Sequence, residues 1–477
     1  MTKPFSKTAQ SLLAQIAAYA ADYRQTPQEL HPSASVAELR ERLVIDLPDH
    51  SRDPQVVLNE LIAGAEPGLV GSTQPGFLAW VIGAAHEAGV AADWLTATWD
   101  QNAGIYQTAP AAAIAEEAVA RWLLDLLDLP RIASMGITTG ATMANFTCLA
   151  AARDAVLGRA GCDLSQTGLQ GAPEITIFMS AEAHASNVSA LRYLGFGEAN
   201  FQRIQTDLNG VMDVDALSAA IADQAGPAII IAQAGHIHSG AFDRFADIAQ
   251  IARANQTWLH VDGAFGLWAR ALPECAALIQ GLEQADSWSV DGHKWLQIPY
   301  DCGFAIVSDP KAHRRAMEIT ASYLPHNEDE GRNPTHFGPE LARRARGFPV
   351  WAVMQSLGRQ GIVDLVRAHR ACAMAQAWRS IQRETVELAL RLGDGKAGLD
   401  LARRLAMTTY RTPEELEDRF YAPEAGSRDA NGIAGYLEAR GRDYAETVSP
   451  ERFLALSHSM DSHTVDLGAI ECPVTYL

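Results

Sequence analysis

The stretch AIIIAQAGHIHSGAFDRFADIAQIARANQTWLHVD (residues 228–262) contains the pattern that decides the fold: a short apolar run, a helix-like segment and a second apolar run. The same alternation continues on both sides of it. The other apolar runs are ITIFM (175–179) and GFAIV (303–307), and the helix-like segments are Ala144–Val156, Val188–Leu194 and Phe245–Ala254. This alternation predicts an α/β fold, a mostly parallel sheet with helices on both faces. Ligands of such sheets bind beyond the carboxyl ends of the strands, so residues that follow these runs are functional candidates.

The length of the chain predicts more than one domain. It has 477 residues, of which 48% are hydrophobic and 20% charged, as in ordinary globular proteins. We expect an N-terminal helical segment (1–70), a large ligand-binding domain (71–367) and an atypical C-terminal segment (368–477). That last segment is helical and charged in character, without a strong apolar run until VTYL at its end.

Charge and cysteine usage exclude several classes of function. The net charge of −19 and the pI near 5.1 speak against a surface for nucleic acid or anionic membranes. The six cysteines form no C-x-x-C pair, so we expect neither a disulfide framework nor a metal site. Residues 1–23 have apolar positions at helical spacing, which favours an amphipathic helix over a signal peptide. With no apolar stretch long enough to span a membrane, we expect a cytoplasmic protein.

The segment ADSWSVDGHKWLQIPYDCG (285–303) contains a candidate nucleophile. Lys294 lies between His293 and Trp295 in largely apolar and aromatic surroundings. A lysine amine is nucleophilic only when it is deprotonated, and burial favours that state. Such an amine forms an imine with an aldehyde cofactor. For an isolated lysine the commoner arrangement is a stem packed on Trp295 with the ammonium in water.

The segment TWLHVDGAFG (257–266) adds a carboxylate, because Asp262 ends an apolar run. Pyridoxal phosphate (PLP) accepts electrons only while its ring nitrogen is protonated, and a carboxylate beside that nitrogen keeps it so. An aspartate that caps the turn before Gly263 is an equally good interpretation of this residue alone.

The segment GITTGATMANFTCLAAAR (136–153) is a Gly/Thr-rich turn that leads directly into a helix. Backbone N–H groups at a helix start bind phosphate, Gly140 permits close approach, and the hydroxyls of Thr139 and Thr142 add hydrogen bonds. The segment has neither the Walker nor the G-x-G-x-x-G spacing. Simple helix capping explains the same residues.

The fourth candidate is His184 in SAEAHASNVSALRYLG (180–195), just after the ITIFM run. This imidazole is placed to stack on a flat cofactor ring, or alternatively to cap the following helix. The phosphate-type turn, His184, Asp262 and Lys294 follow one another on successive strand ends of one α/β unit. Their order favours a PLP site over four unrelated structural roles.

Residues from about 70 to about 365 resemble the group II PLP-dependent decarboxylases, the family of aromatic-amino-acid and glutamate decarboxylases. The motifs that carry the resemblance are the phosphate turn, AEAHAS (181–186), GHIHSGAFD (235–243), HVDGAFG (260–266), ADSWSVDGHKW (285–295) and YDCG (300–303). The resemblance implies the aminotransferase-like fold type I and a homodimer with its active site at the subunit interface. It implies decarboxylation of an L-amino acid, with carbon dioxide lost and a proton returned to Cα.

The resemblance also implies roles for individual residues. Lys294 is the lysine that forms a Schiff base with PLP, Asp262 pairs with the pyridine nitrogen, and His184 stacks on the ring. Ala264 packs on the other face of the ring, and His293 lies near the phosphate and the reactive centre. Catalysis is assigned to Lys294, His184 and His293. The implied phosphate site consists of Thr139, Gly140, Ala141 and Thr142.

Three positions depart from the family pattern. Gln74 in QPGFLAW (74–80) replaces a histidine, and His236 replaces the usual Thr or Asn. The stretch that corresponds to the mobile catalytic loop (327–346) contains no tyrosine, the residue that reprotonates the product in the decarboxylases. Neither His336 nor Phe337 is an obvious replacement. Oxidative deamination, transamination, cysteine-sulfur chemistry and a catalytically impaired protein therefore stay open as alternatives.

The C-terminal segment is similar to another family. Residues 368–419 and 435–463, with IECPVTYL at the end, resemble the lid and late helices of homoserine O-acyltransferases, and LAMTTYRTPEEL (405–416) is the most specific phrase. No G-x-S-x-G sequence occurs, so no acyl-transfer triad is expected, and Asp461 and His463 are interpreted as a solvated loop. The hypothesis is a fusion in which an acyltransferase fragment replaced the small domain, and it predicts a poorly packed tail.

Overall fold

The computed structural model describes residues 7–74, 77, 80–237, 239–319, 331–370, 373–408 and 432–461. These residues form two compact units. The described residues of Met1–Ile82 and Asp400–Tyr444 belong to the first unit, and those of Gly83–Leu399 and Ala445–Thr475 belong to the second.

The second unit is built on one seven-stranded sheet. Its strands are β1 Ser134–Thr138, β2 Thr176–Ser180, β3 Phe201–Ile204, β4 Ala228–Gln233, β5 Trp258–Asp262, β6 Ser287–Asp291 and β7 Gly303–Val307. The spatial order is β1-β7-β6-β5-β4-β2-β3. Strand β7 is antiparallel to both neighbours, and the other pairs are parallel. The predicted α/β fold with a mostly parallel sheet is confirmed, and the four quoted apolar runs form β2, β4, β5 and β7.

Helices precede, connect and follow these strands. Within the second unit they are α4 Glu87–Trp99, α5 Pro110–Leu126, α6 Ala141–Arg159, α7 Leu164–Thr167, α8 Ala185–Tyr193, α9 Val214–Ala222, α10 Phe245–Ala254, α11 Pro310–Met317, α12 Gly347–Arg370 and α13 Ala373–Arg391. The three helix-like segments noted in the sequence correspond to α6, α8 and α10. Helix α12 is interrupted at Gly358, whose φ of 61° is not helical.

The core lies on both faces of the sheet, because successive strand residues point to opposite sides. In β4, Ile229 and Ile231 belong to the cluster that α6 and α8 cover. Ile230 and Ala232 belong to the other cluster, which includes apolar residues of α5, α10 and α12. Burial on both faces explains why these strands are continuously apolar.

Strand register brings several chain segments to one edge of the sheet. Gln233 pairs with Asp262 and Asp262 with Ser289, so β4, β5 and β6 end at the same edge. Gly303 at the start of β7 pairs with Thr138 on one side and Asp291 on the other. The turn after β1 therefore begins at this edge as well, which is where the candidate residues follow.

The first unit is helical in its described part. Its helices are α1 Lys7–Gln25, α2 Val36–Leu43, α3 Pro54–Ala65 and α15 Gly432–Thr447, and α14 Gly395–Thr408 begins at its border. A capping box between Ser35 and Glu38 begins α2. None of the helices in the described ranges has the length and apolar character that a membrane span requires.

The last described helix, α16 Pro450–Asp461, belongs to the second unit. The guanidinium of Arg383 on α13 donates to the carbonyl and hydroxyl oxygens of Ser457 on α16, both at 3.0 Å. Val386 on α13 is fully buried. The VTYL run, His463 and most of LAMTTYRTPEEL lie outside the described residues.

Candidate active site

Lys294 follows β6 and its amine meets a buried carboxylate. Nζ lies 2.9 Å from Oδ2 of Asp291, and the exposed fraction of the Lys294 side chain is 20%. The ring centroid of Phe265 lies 6.0 Å from the same nitrogen. Trp295 packs against Phe265 and stacks on His369. The amine is thus held at the sheet edge by Asp291 and does not extend freely into water.

Asp262 is a buried carboxylate that its own chain surrounds with donors. Oδ2 accepts from Nδ2 of Asn187 at 2.6 Å and from Nδ2 of Asn145 at 3.4 Å. Oδ1 accepts from the backbone N–H of Ala264 at 3.2 Å and from the hydroxyl of Ser289 at 3.5 Å. The bond from Ala264 shows that Asp262 caps the turn before Gly263, as the alternative interpretation of the sequence predicts. The donors from Asn187, Asn145 and Ser289 exceed what a turn needs, and they fix the orientation of the carboxylate.

Asp262 and Lys294 lie at the same edge of two adjacent strands. Asp262 ends β5 and pairs with Ser289 of the parallel strand β6, which Lys294 follows. The turn after Asp262 is joined to the end of β6 because the N–H of Asp291 donates to the carbonyl of Ala264 at 2.9 Å. The lysine and the carboxylate that the sequence predicts for one site therefore lie at the same edge of the sheet, on adjacent strand ends.

The turn after β1 approaches the same place. Gly140 has a φ of 155° and, as the N-cap residue of α6, offers no side chain of its own to the helix start. A Cβ at this position would lie 2.9 Å from Cε1 of His293, so glycine permits the close approach. The N–H of Ala141 donates to Oδ1 of Asp291 at 2.6 Å. Thr139 is half-buried and Thr142 is exposed.

His293 is oriented by two contacts at this turn. Its Nδ1 accepts the backbone N–H of Cys302 at 3.2 Å, so the proton of the neutral ring is on Nε2, 3.4 Å from Oδ1 of Asp291. Burial lowers the pKa of His293, which favours this neutral ring. The imidazole stacks on Tyr300 at a centroid distance of 4.3 Å.

His184 is the N-cap residue of α8, so the helix-capping role that the sequence allows is confirmed. Its Nδ1 accepts the N–H of Ser186 at 3.3 Å and lies 2.8 Å from the Ser186 hydroxyl. That hydroxyl in turn accepts from Nδ2 of Asn145 at 3.4 Å, which links His184 to a donor of Asp262. The ring is exposed at the sheet edge, and its stacking on a cofactor stays a prediction.

Sequence reasoning missed three side chains of this site. Asp291 lies inside a quoted motif, yet its contact with Ala141 spans 150 residues and has no local signal. Asn145 and Asn187 are polar residues on the buried faces of α6 and α8. A polar residue on an otherwise apolar helix face was the sequence signal that could have identified them.

The structure also shows where the residues that depart from the family pattern lie. His236 is buried, with Nε2 3.1 Å from Oε2 of Glu182. His336 lies in a short 3-10 helix, Pro334–Phe337, with Nε2 3.6 Å from Oε1 of Glu318. Gln74 belongs to the first unit.

The site fits a ligand with an aldehyde, a cationic ring nitrogen and a phosphate. The half-buried amine of Lys294 suits the aldehyde, the buried carboxylate of Asp262 suits the ring nitrogen, and the glycine-led start of α6 suits the phosphate. The fold and the site define an α/β enzyme of the PLP-dependent class.

The chain belongs to the pyridoxal-dependent decarboxylase family, since the model of the pyridoxal-dependent decarboxylase conserved domain matches residues 36–396. It is accordingly a PLP-dependent enzyme of the amino-acid decarboxylase type. The matched region begins before residue 70 and continues into the C-terminal segment.

Named relatives and solved structures agree with this family. An aromatic-L-amino-acid decarboxylase of Bacillus atrophaeus is 29% identical over 327 residues, which cover 67% of this chain and 66% of that enzyme. Tryptophan decarboxylase 1 of Oryza sativa subsp. japonica is 27% identical over 459 residues, 91% of this chain and 86% of the relative. The crystal structure of Oryza sativa TDC with PLP and tryptamine has a TM-score of 0.70 at 24% identity and covers 81% of each chain, which shows the shared fold.

Proposed function

We propose that the protein is a carboxy-lyase that removes the α-carboxylate of an L-amino acid, with PLP attached at Nζ of Lys294. The observation that carries this proposal is the placement of Lys294 and Asp262 after adjacent strands, β6 and β5, at the same edge of the sheet. When bound, PLP supplies the electron sink for the charge that develops as carbon dioxide leaves.

The residues of the chain have separate tasks in this proposal. Asp262, oriented by its donors, would pair with the protonated ring nitrogen. Lys294 provides the attachment point, and without the cofactor its amine forms an ion pair with Asp291. His184 and Ala264 would hold the two faces of the ring. His293, with its Nε2 proton directed at Asp291, would border the phosphate and the reacting atoms. The phosphate site consists of Thr139, Gly140, Ala141 and Thr142.

The proposed substrate is an L-amino acid with an aromatic side chain. The names of the Bacillus and rice relatives support this class. Because residues 327–346 contain no tyrosine, oxidative deamination or transamination is the second candidate outcome. Product analysis on L-tryptophan, L-tyrosine and L-phenylalanine separates them: amine with carbon dioxide supports decarboxylation, and aldehyde with ammonia supports oxidative deamination.

The attachment is tested by borohydride reduction of the holoenzyme followed by peptide mass spectrometry. The expected result is a PLP-derived mass fixed on Lys294 and none in Lys294→Ala, whose activity falls at least about 1,000-fold. Lys311→Ala is the matched control, since Lys311 is an exposed residue of α11. A fixed cofactor on another lysine contradicts the proposal.

We also propose a cytoplasmic homodimer with its active site at the subunit interface. The resemblance to group II decarboxylases and the acidic composition support this assembly and location. Light scattering after size-exclusion chromatography tests the assembly. A monomer that decarboxylates with full activity contradicts it.

We further propose three segments, 1–70, 71–367 and 368–477, and a C-terminal segment acquired from a homoserine O-acyltransferase. The phrase LAMTTYRTPEEL supports this origin. Since the family model continues to residue 396, we place the start of the acquired part after that residue. Limited proteolysis that leaves the chain intact while it cleaves a flexible reference protein contradicts a poorly packed tail.

A further inference from the structure

A row of buried polar side chains lies behind Asp262. The indole Nε1 of Trp258 donates to Oγ of Ser287 at 2.9 Å, and that hydroxyl lies 2.9 Å from Nδ1 of His260. Nε2 of His260 lies 3.0 Å from Oδ1 of Asn145, whose Nδ2 lies 3.4 Å from Oδ2 of Asp262. His260, Ser287 and Asn145 are fully buried. Water therefore does not compete for these bonds.

The two ends of the row determine the direction of every bond. At one end, Asp262 as a carboxylate only accepts, so Asn145 presents its NH₂ to it and its oxygen to His260. His260 must then have its proton on Nε2. Its Nδ1 accepts the hydroxyl proton of Ser287, and the Ser287 oxygen accepts from Trp258, which only donates. The opposite tautomer would set two acceptors against each other at the Asn145 contact.

The imidazole contributes no charge to this row. Burial lowers the pKa of His260 to about 4, so the ring is neutral at physiological pH. The other titratable groups in contact with the row are Asp262 and the thiol of Cys148 on α6. Burial raises the pKa of that thiol, and it stays protonated. The row therefore acts on Asp262 through oriented dipoles.

We propose that Asn145 is a positioning residue. It ends a row of hydrogen bonds that all point the same way, from Trp258 through Ser287 and His260 to Asn145, and its NH₂ group orients the carboxylate of Asp262. This inference rests on the proposed role of Asp262 toward the ring nitrogen. Asn187 of the neighbouring helix α8 donates to the same Oδ2 at 2.6 Å, so two amide side chains hold this oxygen.

The tautomer is tested directly by ¹⁵N-histidine NMR of the holoenzyme, with His260 assigned through its loss in His260→Gln. The expected result is a neutral ring with the proton on Nε2, unchanged between about pH 6 and pH 8. A proton on Nδ1, or a cationic ring in this range, overturns the inference. This measurement does not depend on activity or on the role of Asp262.

The function of the row is tested through the PLP dissociation constant of Asn145 variants. Asn145→Leu removes the donor, and we expect binding weaker by about 10- to 100-fold. Asn145→Asp keeps the shape and exchanges the donor for a carboxyl. Its PLP binding should approach that of the wild type at acidic pH, where the introduced carboxyl is protonated, and weaken as pH rises because two adjacent carboxylates repel each other.

The matched control is Thr147→Val on the same helix. Thr147 is buried, and its hydroxyl bonds only within α6, to the carbonyl of Met143 at 2.8 Å. Its PLP dissociation constant should stay within about twofold of wild type. Equal effects of Thr147→Val and Asn145→Leu, or an Asn145→Asp profile parallel to wild type, overturn the inference. If Asp262→Ala leaves PLP binding unchanged, the proposed role of Asp262 toward the ring nitrogen is wrong. The NMR result on His260 still decides in which direction the hydrogen bonds of the row point.

Discussion

Asp291 Oδ2 lies 2.9 Å from Lys294 Nζ, and the carboxylate that makes this ion pair is almost fully buried. Its second oxygen accepts the N–H of Ala141 at the start of α6. One carboxylate thus contacts both the amine of Lys294 and the turn after β1. The two elements are far apart in the sequence, and this residue links them in addition to the pairing of β1 and β6 with β7.

Asp291→Asn should destabilise the protein. Asparagine keeps an oxygen for the Ala141 N–H but leaves the Lys294 ammonium without its negative partner, at a cost of about 1–3 kcal/mol in unfolding free energy. The matched control is Asp213→Asn, because Asp213 is exposed and caps α9 through its side chain. Its cost should be no more than about 0.5 kcal/mol, since Asn and Asp cap equally well. Urea unfolding of the cofactor-free proteins, in which Nζ of Lys294 is a free amine, measures both losses, and equal losses contradict the prediction.

Gly83→Ala should damage the site through the backbone of Lys294. An added Cβ would lie 2.0 Å from the carbonyl oxygen of Lys294 and 2.6 Å from that of His293, so main chain must move. A displaced lysine loses its alignment with substrate, and we expect kcat/KM to fall about 100-fold. Gly338→Ala is the control, because a Cβ there meets nothing within 4 Å. Steady-state kinetics with cofactor occupancy checks both variants, and wild-type kinetics for Gly83→Ala would disprove the contact.

The fold was predictable where strands are continuously apolar and was missed where they are not. Strand β6 (SWSVD) alternates polar and apolar residues although it is buried throughout. Ser287 and Ser289 are tolerated there because they bond to Trp258, His260 and Asp262, contacts that only the folded sheet provides. Strand β3 was missed for another reason. It is an edge strand with exposed residues and pairs with β2 alone.

The sequence predicted which strand-end residues form the site and their order along the chain. It did not predict the hydrogen bonds that hold those residues. Strand-end residues are visible in sequence because parallel strands end at one edge. The groups that hold them come from elsewhere: Asn145 reaches Asp262 across 117 residues and Asn187 reaches it across 75. Each is one polar residue on a helix, and nothing local distinguishes it from a capping or surface amide.

His313 should make the protein acid-sensitive. Burial, and then the charge of Arg332, lower the pKa of His313 from 6.5 to about 3. Because the folded-state value lies below the unfolded one, the stabilising contribution is complete above pH 6.5 and is lost as pH falls toward 3. The ring is held by Ser134, whose Oγ lies 2.9 Å from Nδ1.

His313→Leu removes this titration. Below pH 6.5 the stability difference between wild type and variant should shrink by up to about 1.4 kcal/mol for each pH unit. Chemical denaturation across this range measures it. His50→Leu, at an exposed ring, is the comparison. A profile of the same shape for both variants contradicts the role of burial.

Arg452 should couple the last described helix to the edge of the sheet. Its guanidinium donates to Oε2 of Glu182, which also lies near Nε2 of His236. The other oxygen of Glu182, Oε1, accepts from the hydroxyl of Thr206. Burial of Glu182 opposes its ionisation, yet these hydrogen bonds hold its pKa below the usual value. The pair is partly buried, with side-chain exposures of 15% for Arg452 and 27% for Glu182. A contact this shielded is worth more than a surface ion pair.

A double-mutant cycle of Arg452→Ala and Glu182→Gln should give a coupling of about 1 kcal/mol at neutral pH. Since the folded-state pKa of Glu182 is depressed, the coupling is present above its unfolded value of 4.5 and is lost as pH falls below it. The reference cycle uses Arg391 and Glu387, which are 4.0 Å apart on α13 with Arg391 77% exposed, and should give about 0.3 kcal/mol. Equal couplings in the two cycles would show that α16 gains nothing from Glu182. A larger coupling for the Arg452–Glu182 pair, together with faster proteolysis of Arg452→Ala, supports a structural role for this contact. Helix α16 is then anchored to Glu182 after β2, whatever the origin of the C-terminal segment.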